Sequence, residues 1–265
     1  MTEPIRSSRT PSPLPLSPDS MHPTLVIWDN SRMSNVDEGE IRRFSALASR
    51  WWDPRGEMAA LHHINPARVR YIERVAGGLR GKRALDVGCG AGILTEALAA
   101  KGASALGIDM AEASLEIGRL HGLESGVKAD YRCIAAEALA AEMPGAFDLV
   151  CCLEMLEHVP DPASVIRAVA TLVKPGGDVV FSTINRNPKA YALAIVGAEL
   201  VAGLIPRGTH DYAKFIKPSE LETWSREAGL TAVELRGLRY NPLLKSATVG
   251  DDIDVNYLLH CRKPA

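Results

Sequence analysis

Three features are scarce in this chain, and each scarcity removes a class of function. Excess charge of one sign is absent: 30 Lys and Arg stand against 32 Asp and Glu, so no basic surface invites nucleic acid as a partner. Cysteine is sparse. Cys89, Cys133, Cys151, Cys152 and Cys261 form no C-x-x-C pair and no metal-type spacing, and three of them sit in apolar runs, which reads as buried thiols kept reduced. Long apolar runs are missing too. None reaches the roughly 20 residues of a membrane-spanning helix, and no secretory leader pattern is visible, so a cytoplasmic setting is expected.

The 265 residues suffice for one domain with decorations. Residues 1–33 are rich in Pro and Ser (Pro11, Pro13, Pro15, Pro18) without periodicity, and a disordered tail is expected there. Met1, Met21 and Met33 are all candidate translation starts. Residues 34–265 read as a single domain, with N-terminal helices in 38–76 and an apolar insert at about 188–210. The spacing of Ile41, Phe44, Leu47, Ala48 and Trp51 predicts a helix over 38–52; that of Val69, Ile72 and Val75 predicts another starting at Pro66. Strands are then expected at 83–87, 104–109, 130–134, 147–152 and 178–184. Helices are expected at 91–101, 112–121, 137–142 and 162–172. Such alternation predicts an α/β fold with a doubly wound, mostly parallel sheet. Lys174-Pro175-Gly176-Gly177 signals a tight turn before the fifth strand. A helix at 218–227 and two strands, near 230–237 and 254–261, then complete a seven-stranded sheet with an antiparallel edge.

The densest information lies in Leu85-Asp86-Val87-Gly88-Cys89-Gly90-Ala91-Gly92. An apolar strand ending in alternating glycines and opening a helix lets backbone approach a ligand and points free N–H groups at it. The dinucleotide fingerprint G-x-G-x-x-G fails here, because its third glycine position falls on Ile93. Asp86 would repel a pyrophosphate but suits an ammonium group. Asp109 closes the next apolar run, about 20 residues on, where a carboxylate can accept both ribose hydroxyls. Glycines Gly88 and Gly90 for approach, Asp86 for an amine and Asp109 for a ribose together describe S-adenosylmethionine. The stretch resembles the first two motifs of the class I methyltransferases and implies their Rossmann-like fold.

A second constellation, Glu154-Met155-Leu156-Glu157-His158, follows the expected fourth strand, beside the donor site of a doubly wound sheet. Three readings stand side by side. Glu154, Glu157 and His158 can hold a hard divalent cation that acidifies a phenol. His158 can be a general base oriented by the glutamates. The three can also merely satisfy backbone groups of the loop.

Further motifs occur in order: Asn35-Val36-Asp37, Ser49-Arg50-Trp51-Trp52-Asp53, Leu61 to Arg68, Thr183 to Asn187, Gly208-Thr209-His210-Asp211 and Asp254 to Tyr257. With the two constellations they make residues 35–261 resemble the bacterial ubiquinone biosynthesis O-methyltransferases. The resemblance implies methylation of a phenolic oxygen on a polyprenylated ring, with 2-polyprenyl-6-hydroxyphenol and 3-demethylubiquinol as acceptors. It implies donor contacts at Arg68, Gly88, Asp109 and Leu153, with Leu153 acting through backbone or packing. Eukaryotic relatives use magnesium in the segment matching Glu154, Glu157 and His158, so Mg2+ is an implied cofactor. This chain departs from the superfamily at Ile134-Ala135-Ala136-Glu137, where many members carry an acid for adenine. Adenine recognition is therefore expected from backbone near Ala136. On this basis, replacing Glu154 or His158 with Ala should lower turnover and leave donor affinity nearly intact.

Residues 190–205 are almost wholly apolar, broken by Glu199. As a helix they would span about 24 Å, short of a bilayer core. They read either as a core helix or lid, or as an interfacial segment that reaches a prenyl tail in lipid. The second reading makes the inner-membrane surface a peripheral partner, with other quinone-synthesis enzymes as further partners. Competing functions are a nicotinamide-dependent oxidoreductase, opposed by Asp86 and the missing glycine; a non-catalytic donor-binding scaffold, opposed by the Glu154–His158 cluster; and a related methyltransferase acting on carbon or another phenol.

Overall fold

The computed structural model describes residues 35–192 and 212–265. Residues 1–33 and most of the 190–205 segment lie outside them. The described residues from Asn35 onward form one compact unit.

Strands β1 (Arg83–Val87), β2 (Ser104–Asp109), β3 (Asp130–Cys133), β4 (Phe147–Leu153) and β5 (Val173–Ile184) are parallel, in the spatial order β3-β2-β1-β4-β5. The order reverses between β1 and β4, so the loops after these two strands flank the crevice where such sheets bind ligands. Beyond β5 the order continues β8-β6-β7, with β6 (Thr231–Asn241), β7 (Ser246–Gly250) and β8 (Asn256–Arg262). β8 runs antiparallel to both neighbours, and β6 therefore runs in the same direction as β5. Seven of these strands match the expected set. The eighth, β7, forms a hairpin with β6 at the edge.

Helices α1 (Glu38–Leu47), α2 (Ala59–Val75), α3 (Ile93–Ala100), α4 (Glu112–Ser125), α5 (Ala136–Glu142), α6 (Pro162–Leu172), the single turn α7 (Pro188–Ala190) and α8 (Pro218–Glu227) complete the unit. Strand alternation sorts the central residues onto two faces. Val150, Cys152, Val179 and Phe181 join α5, α6 and α8; Leu149, Cys151, Val180 and Leu258 join α2 and α3. All five cysteines are free thiols, and all but Cys133 are buried.

Three boundaries differ from expectation for physical reasons. The 38–52 helix stops at Leu47 and tightens into a 3-10 turn at Ala48–Arg50, which turns the chain so that Trp51 is buried. α2 starts at Ala59 and carries Pro66 inside it. Pro66 has no N–H for the carbonyl four residues back, yet the helix continues, with Asn65 donating to Ile93 O at 2.9 Å. The Lys174–Gly177 turn is absorbed into β5 as an irregularity opposite Phe147–Leu149, with Gly176 at φ 73°.

Candidate active site

β1 ends at Val87, and the chain winds through Gly88 and Gly90, at φ 72° and 54°, into α3. The positive φ alone demands glycine here. The structure adds a reason that ligand approach did not supply: a Cβ on Gly88 would overlap the Met155 side chain, and one on Gly90 would overlap the Trp51 ring. Protein side chains already fill the space against these glycines. Trp52 braces the same loop, donating from Nε1 to Ala91 O at 3.0 Å and stacking on His121 at 3.4 Å between ring centroids. The W-W pair thus fastens the N-terminal segment onto the glycine turn, a role the sequence left unassigned.

Asp109, at the tip of β2, accepts from Gly90 N at 2.9 Å through Oδ2 and from Ala111 N at 2.8 Å through Oδ1. Each carboxylate oxygen has a second lone pair, which leaves acceptor capacity for a ribose. Burial pushes its pKa upward in spite of these bonds. Asp86 is 3% exposed and accepts from Thr95 Oγ1 at 2.7 Å. Burial raises its pKa to about 7, against the Thr95 bond and with help from the Asp109 charge. A buried Asp86 beside a half-buried Asp109 suits a cationic ligand.

Glu154 follows β4 with a backbone φ of 52°, a conformation costly for a side-chain-bearing residue. Its carboxylate is crowded with donors: Arg68 Nη2 at 2.7 Å, Asn256 Nδ2 at 3.0 and 2.9 Å to its two oxygens, and Ser182 Oγ. Its N–H meets Ser182 O at 2.8 Å. Arg68 is buried, and its Nε has no hydrogen-bond partner. That N–H is a buried donor left unsatisfied. Glu157 is buried, accepts from Thr183 Oγ1 at 2.9 Å through Oε2 and leaves Oε1 unpartnered. Burial first, then the Glu154 charge, pushes its pKa up. His158 turns toward α1, with Nδ1 3.2 Å from Glu40 Oε2 and its ring edge-on to Phe44 at 5.2 Å.

These placements do not fit a shared cation. Glu154, Glu157 and His158 face three different partners, and the first is bound to a guanidinium that would repel a metal ion. Among the described residues no three His, Cys, Asp or Glu side chains are grouped to hold one. Glu154 is tied to Arg68, the residue that the resemblance implies as a donor contact.

One cavity of about 350 Å³ gathers Arg68, Asp86, Gly88, Gly90, Asp109, Leu153, Glu154, Glu157 and His158 on its walls. Ala135 and Ala136 line it too, where adenine contacts were expected. Glu137 is occupied by Asn35 Nδ2 at 3.0 Å and Ser164 Oγ at 2.9 Å. Residues the sequence reasoning missed are Glu40, Phe44, Trp51, Met155 and Asn256, all on the same walls. Trp51, Met155 and Asn256 lay in quoted motifs and Phe44 in the spacing of the first helix; Glu40 carried no local signal.

Comparison with known proteins places this geometry. A methyltransferase domain family model matches residues 60–235. The ubiquinone biosynthesis O-methyltransferase of Pseudomonas aeruginosa is 62% identical over 233 residues, 88% of this chain and all of that protein. The Bordetella pertussis protein of the same name is 60% identical over 86% of this chain and 95% of its own. Among solved structures, a Synechocystis magnesium protoporphyrin IX methyltransferase with bound SAH superposes with TM-score 0.64 at 18% identity, covering 86% of this chain and all of that one. The cyclase SpnF superposes with TM-score 0.54 at 20% identity, covering 76% and 82%. The fold alone therefore does not fix the chemistry, but identity of this order over nearly the whole length does fix the family: the chain is a member of the ubiquinone biosynthesis O-methyltransferases.

Proposed function

We propose that this enzyme transfers the methyl group of S-adenosylmethionine to a phenolic hydroxyl of a polyprenylated ring, acting on both 2-polyprenyl-6-hydroxyphenol and 3-demethylubiquinol. The observation that carries the reading is that the Asp86–Asp109 acid pair and the His158 imidazole line one and the same cavity. Asp109 takes the ribose, Asp86 neutralises the amino-acid end, Arg68 Nε takes the donor carboxylate, and the backbone at Leu153 closes the floor. When bound, the donor supplies a sulfonium methyl that needs no further activation, so positioning is the protein's main task.

What remains is the phenolic proton, on a group with pKa near 10 in water. His158 receives it as the oxygen lone pair forms its bond to the methyl carbon and the carbon–sulfur bond breaks onto sulfur. The imidazolium then returns the proton to water. The residues do not fit magnesium, and no step runs through a metal. The competing oxidoreductase and scaffold readings have no counterpart for this arrangement.

The acceptor's tail argues for work at a lipid surface. No described helix is long and apolar enough to cross a membrane. Supporting peripheral contact, Leu243 and Leu244 are 92% and 73% exposed at the β6–β7 tip. Gly237 of β6 is level with Thr183 of β5 through Tyr257, so the following four residues carry β6 about 13 Å past the level of Thr183. The cavity lies at that same end of the sheet, among the residues that follow β1 and β4.

The test is methyl transfer from labelled S-adenosylmethionine to a short-chain 3-demethylubiquinol, with and without EDTA. Transfer that persists in EDTA is expected. Loss in EDTA restored by magnesium would overturn the metal-free proton step, and absence of transfer despite donor binding would overturn the acceptor.

A further inference from the structure

α1 buries none of its residues, yet it forms one wall of the cavity through Glu40, Ile41, Phe44 and Leu47. A helix that contributes nothing to the core but faces the reacting groups invites a question about its polar side chains. Its base is pinned to the body by Asn35, which donates to Asp161 O and accepts from Asp161 N, both at 2.7 Å. One turn on, Glu40 enters the cavity wall with its side chain 19% exposed, opposite a His158 side chain that is 14% exposed.

We propose that Glu40 is the positioning residue of the proton acceptor: its carboxylate holds His158 by Nδ1, which fixes the tautomer and leaves Nε2 for the acceptor hydroxyl. The proposal rests on the reading of His158 as the base. A carboxylate beside one imidazole nitrogen requires the proton to sit there, so the other nitrogen carries the lone pair. The same carboxylate stabilises the imidazolium that forms when the hydroxyl proton arrives. Glu40 Oε2 is buried and meets no donor in hydrogen-bond alignment, with His158 Nδ1 at 3.2 Å. Catalytic pairs commonly show such loose geometry before the substrate is bound.

One neighbour competes with Glu40 for the ring: Arg43, which can only donate, has Nη2 at the far limit of hydrogen-bond reach from Nδ1, farther than the 3.2 Å of the carboxylate. Arg43 of α1 pairs with Glu40 and lies 3.5 Å from Nδ1, its guanidinium 4.9 Å over the Phe44 ring. Lys214 approaches the other Glu40 oxygen at 3.8 Å. The His158 contact is the main influence lowering the Glu40 pKa, and these two cations add to it against the opposing effect of burial. From the opposite walls, Asp109 and Glu157 also act on His158 electrostatically. Among the described residues, only Glu40 is in salt-bridge range of a His158 ring nitrogen as a carboxylate. Because it rides on α1, the base is oriented only while that helix covers the cavity.

The experiment compares Glu40→Gln, Glu40→Asp and His158→Gln in the full chain, measuring kcat, KM, donor affinity by calorimetry and Tm. His158→Gln should lose about 100-fold or more in kcat. Glu40→Gln should lose about tenfold or more in kcat, with donor affinity within twofold, and Glu40→Asp should recover part of the loss. The acid limb of the Glu40→Gln kcat profile should move to lower pH, because the imidazolium loses its counter-charge. If His158→Gln stays active, the base assignment fails and Glu40 falls with it. If His158→Gln is inactive while Glu40→Gln turns over normally, Glu40 alone is refuted. Parallel loss of kcat, donor affinity and Tm, unrescued by Asp and without movement of the acid limb, would reduce Glu40 to a structural role and overturn the proposal.

Discussion

The raised pKa of Asp86 sets a definite pH dependence for donor binding. The carboxyl is 3% exposed, has Thr95 Oγ1 as its hydrogen-bond donor and faces the Asp109 charge; its pKa stands at about 7. A cationic amino-acid end binds the carboxylate and not the acid. With a pKa of 7, about a tenth of the free protein is ionised at pH 6 and about nine tenths at pH 8, so the donor Kd should fall roughly tenfold over that interval. Calorimetric titration of S-adenosylmethionine at pH 6, 7 and 8 reads this directly. Asp86→Asn keeps an acceptor for Thr95, and it should bind the donor weakly with a flat profile. The same residue makes a stability prediction of opposite sense. Its folded pKa lies above the unfolded one, so the stabilising protonated form is complete below about pH 4, and stability is lost as pH climbs through about 7. The full shift corresponds to at most about 4 kcal/mol. Asp86→Asn should therefore raise the Tm of the donor-free protein at pH 8 and leave it nearly unchanged at pH 4. A wild-type Kd that is flat from pH 6 to 8, or an Asn variant with the same slope, would refute the pairing of Asp86 with the ammonium.

Three other outcomes follow from the geometry. Glu154→Ala leaves Arg68 buried without its 2.7 Å partner, so about 3–5 kcal/mol of stability should be lost; donor affinity should change along with turnover, and normal affinity with a normal denaturation midpoint would contradict the paired role. Trp52→Phe removes the 3.0 Å bond to Ala91 O and keeps the aromatic stack on His121; a cost of about 1 kcal/mol should appear as a roughly fivefold weaker donor Kd, and unchanged binding would separate the tryptophan from the glycine turn. Flotation on liposomes tests the lipid-surface reading. Ile195→Asp with Leu204→Asp, and separately Leu243→Asp with Leu244→Asp, should each reduce the floating fraction, and wild-type flotation of both double variants would reject it.

The residues of the proposed donor half were legible as a cluster because their determinants are local. Asp86, Gly88 and Gly90 sit within one strand–turn, Asp109 lies one β-α-β unit on, and parallel pairing of β1 with β2 brings Val87 level with Ile108. The order of chemistry along the chain is then the order in space. The same locality explains why the parallel strands were anticipated while β7 was not. Ser246–Gly250 has little apolar signal, and it pairs with β6 because Ala247 finds burial against α2.

The acceptor half was only partly legible because its partners come from distant parts of the chain. Glu154 reads as a free carboxylate until β8 delivers Asn256 and α2 delivers Arg68, 102 and 86 residues away. His158 reads as a lone base until α1 supplies Glu40. Two adjacent acids with the same sequence signature thereby diverge: Glu154 is saturated by four donor contacts, while Glu157 keeps an unpartnered oxygen against the cavity wall. A divalent cation would need both carboxylates turned inward together with the imidazole. It would first have to take Glu154 from a guanidinium already in place, at the cost of stranding Arg68 in a buried pocket. The same guanidinium, with its unpartnered Nε, is better matched to an incoming carboxylate than to a metal site next door. On the proposed reading, the Arg68–Glu154 side takes the zwitterionic donor and the His158 side takes the neutral hydroxyl, the division of labour that direct methyl transfer requires.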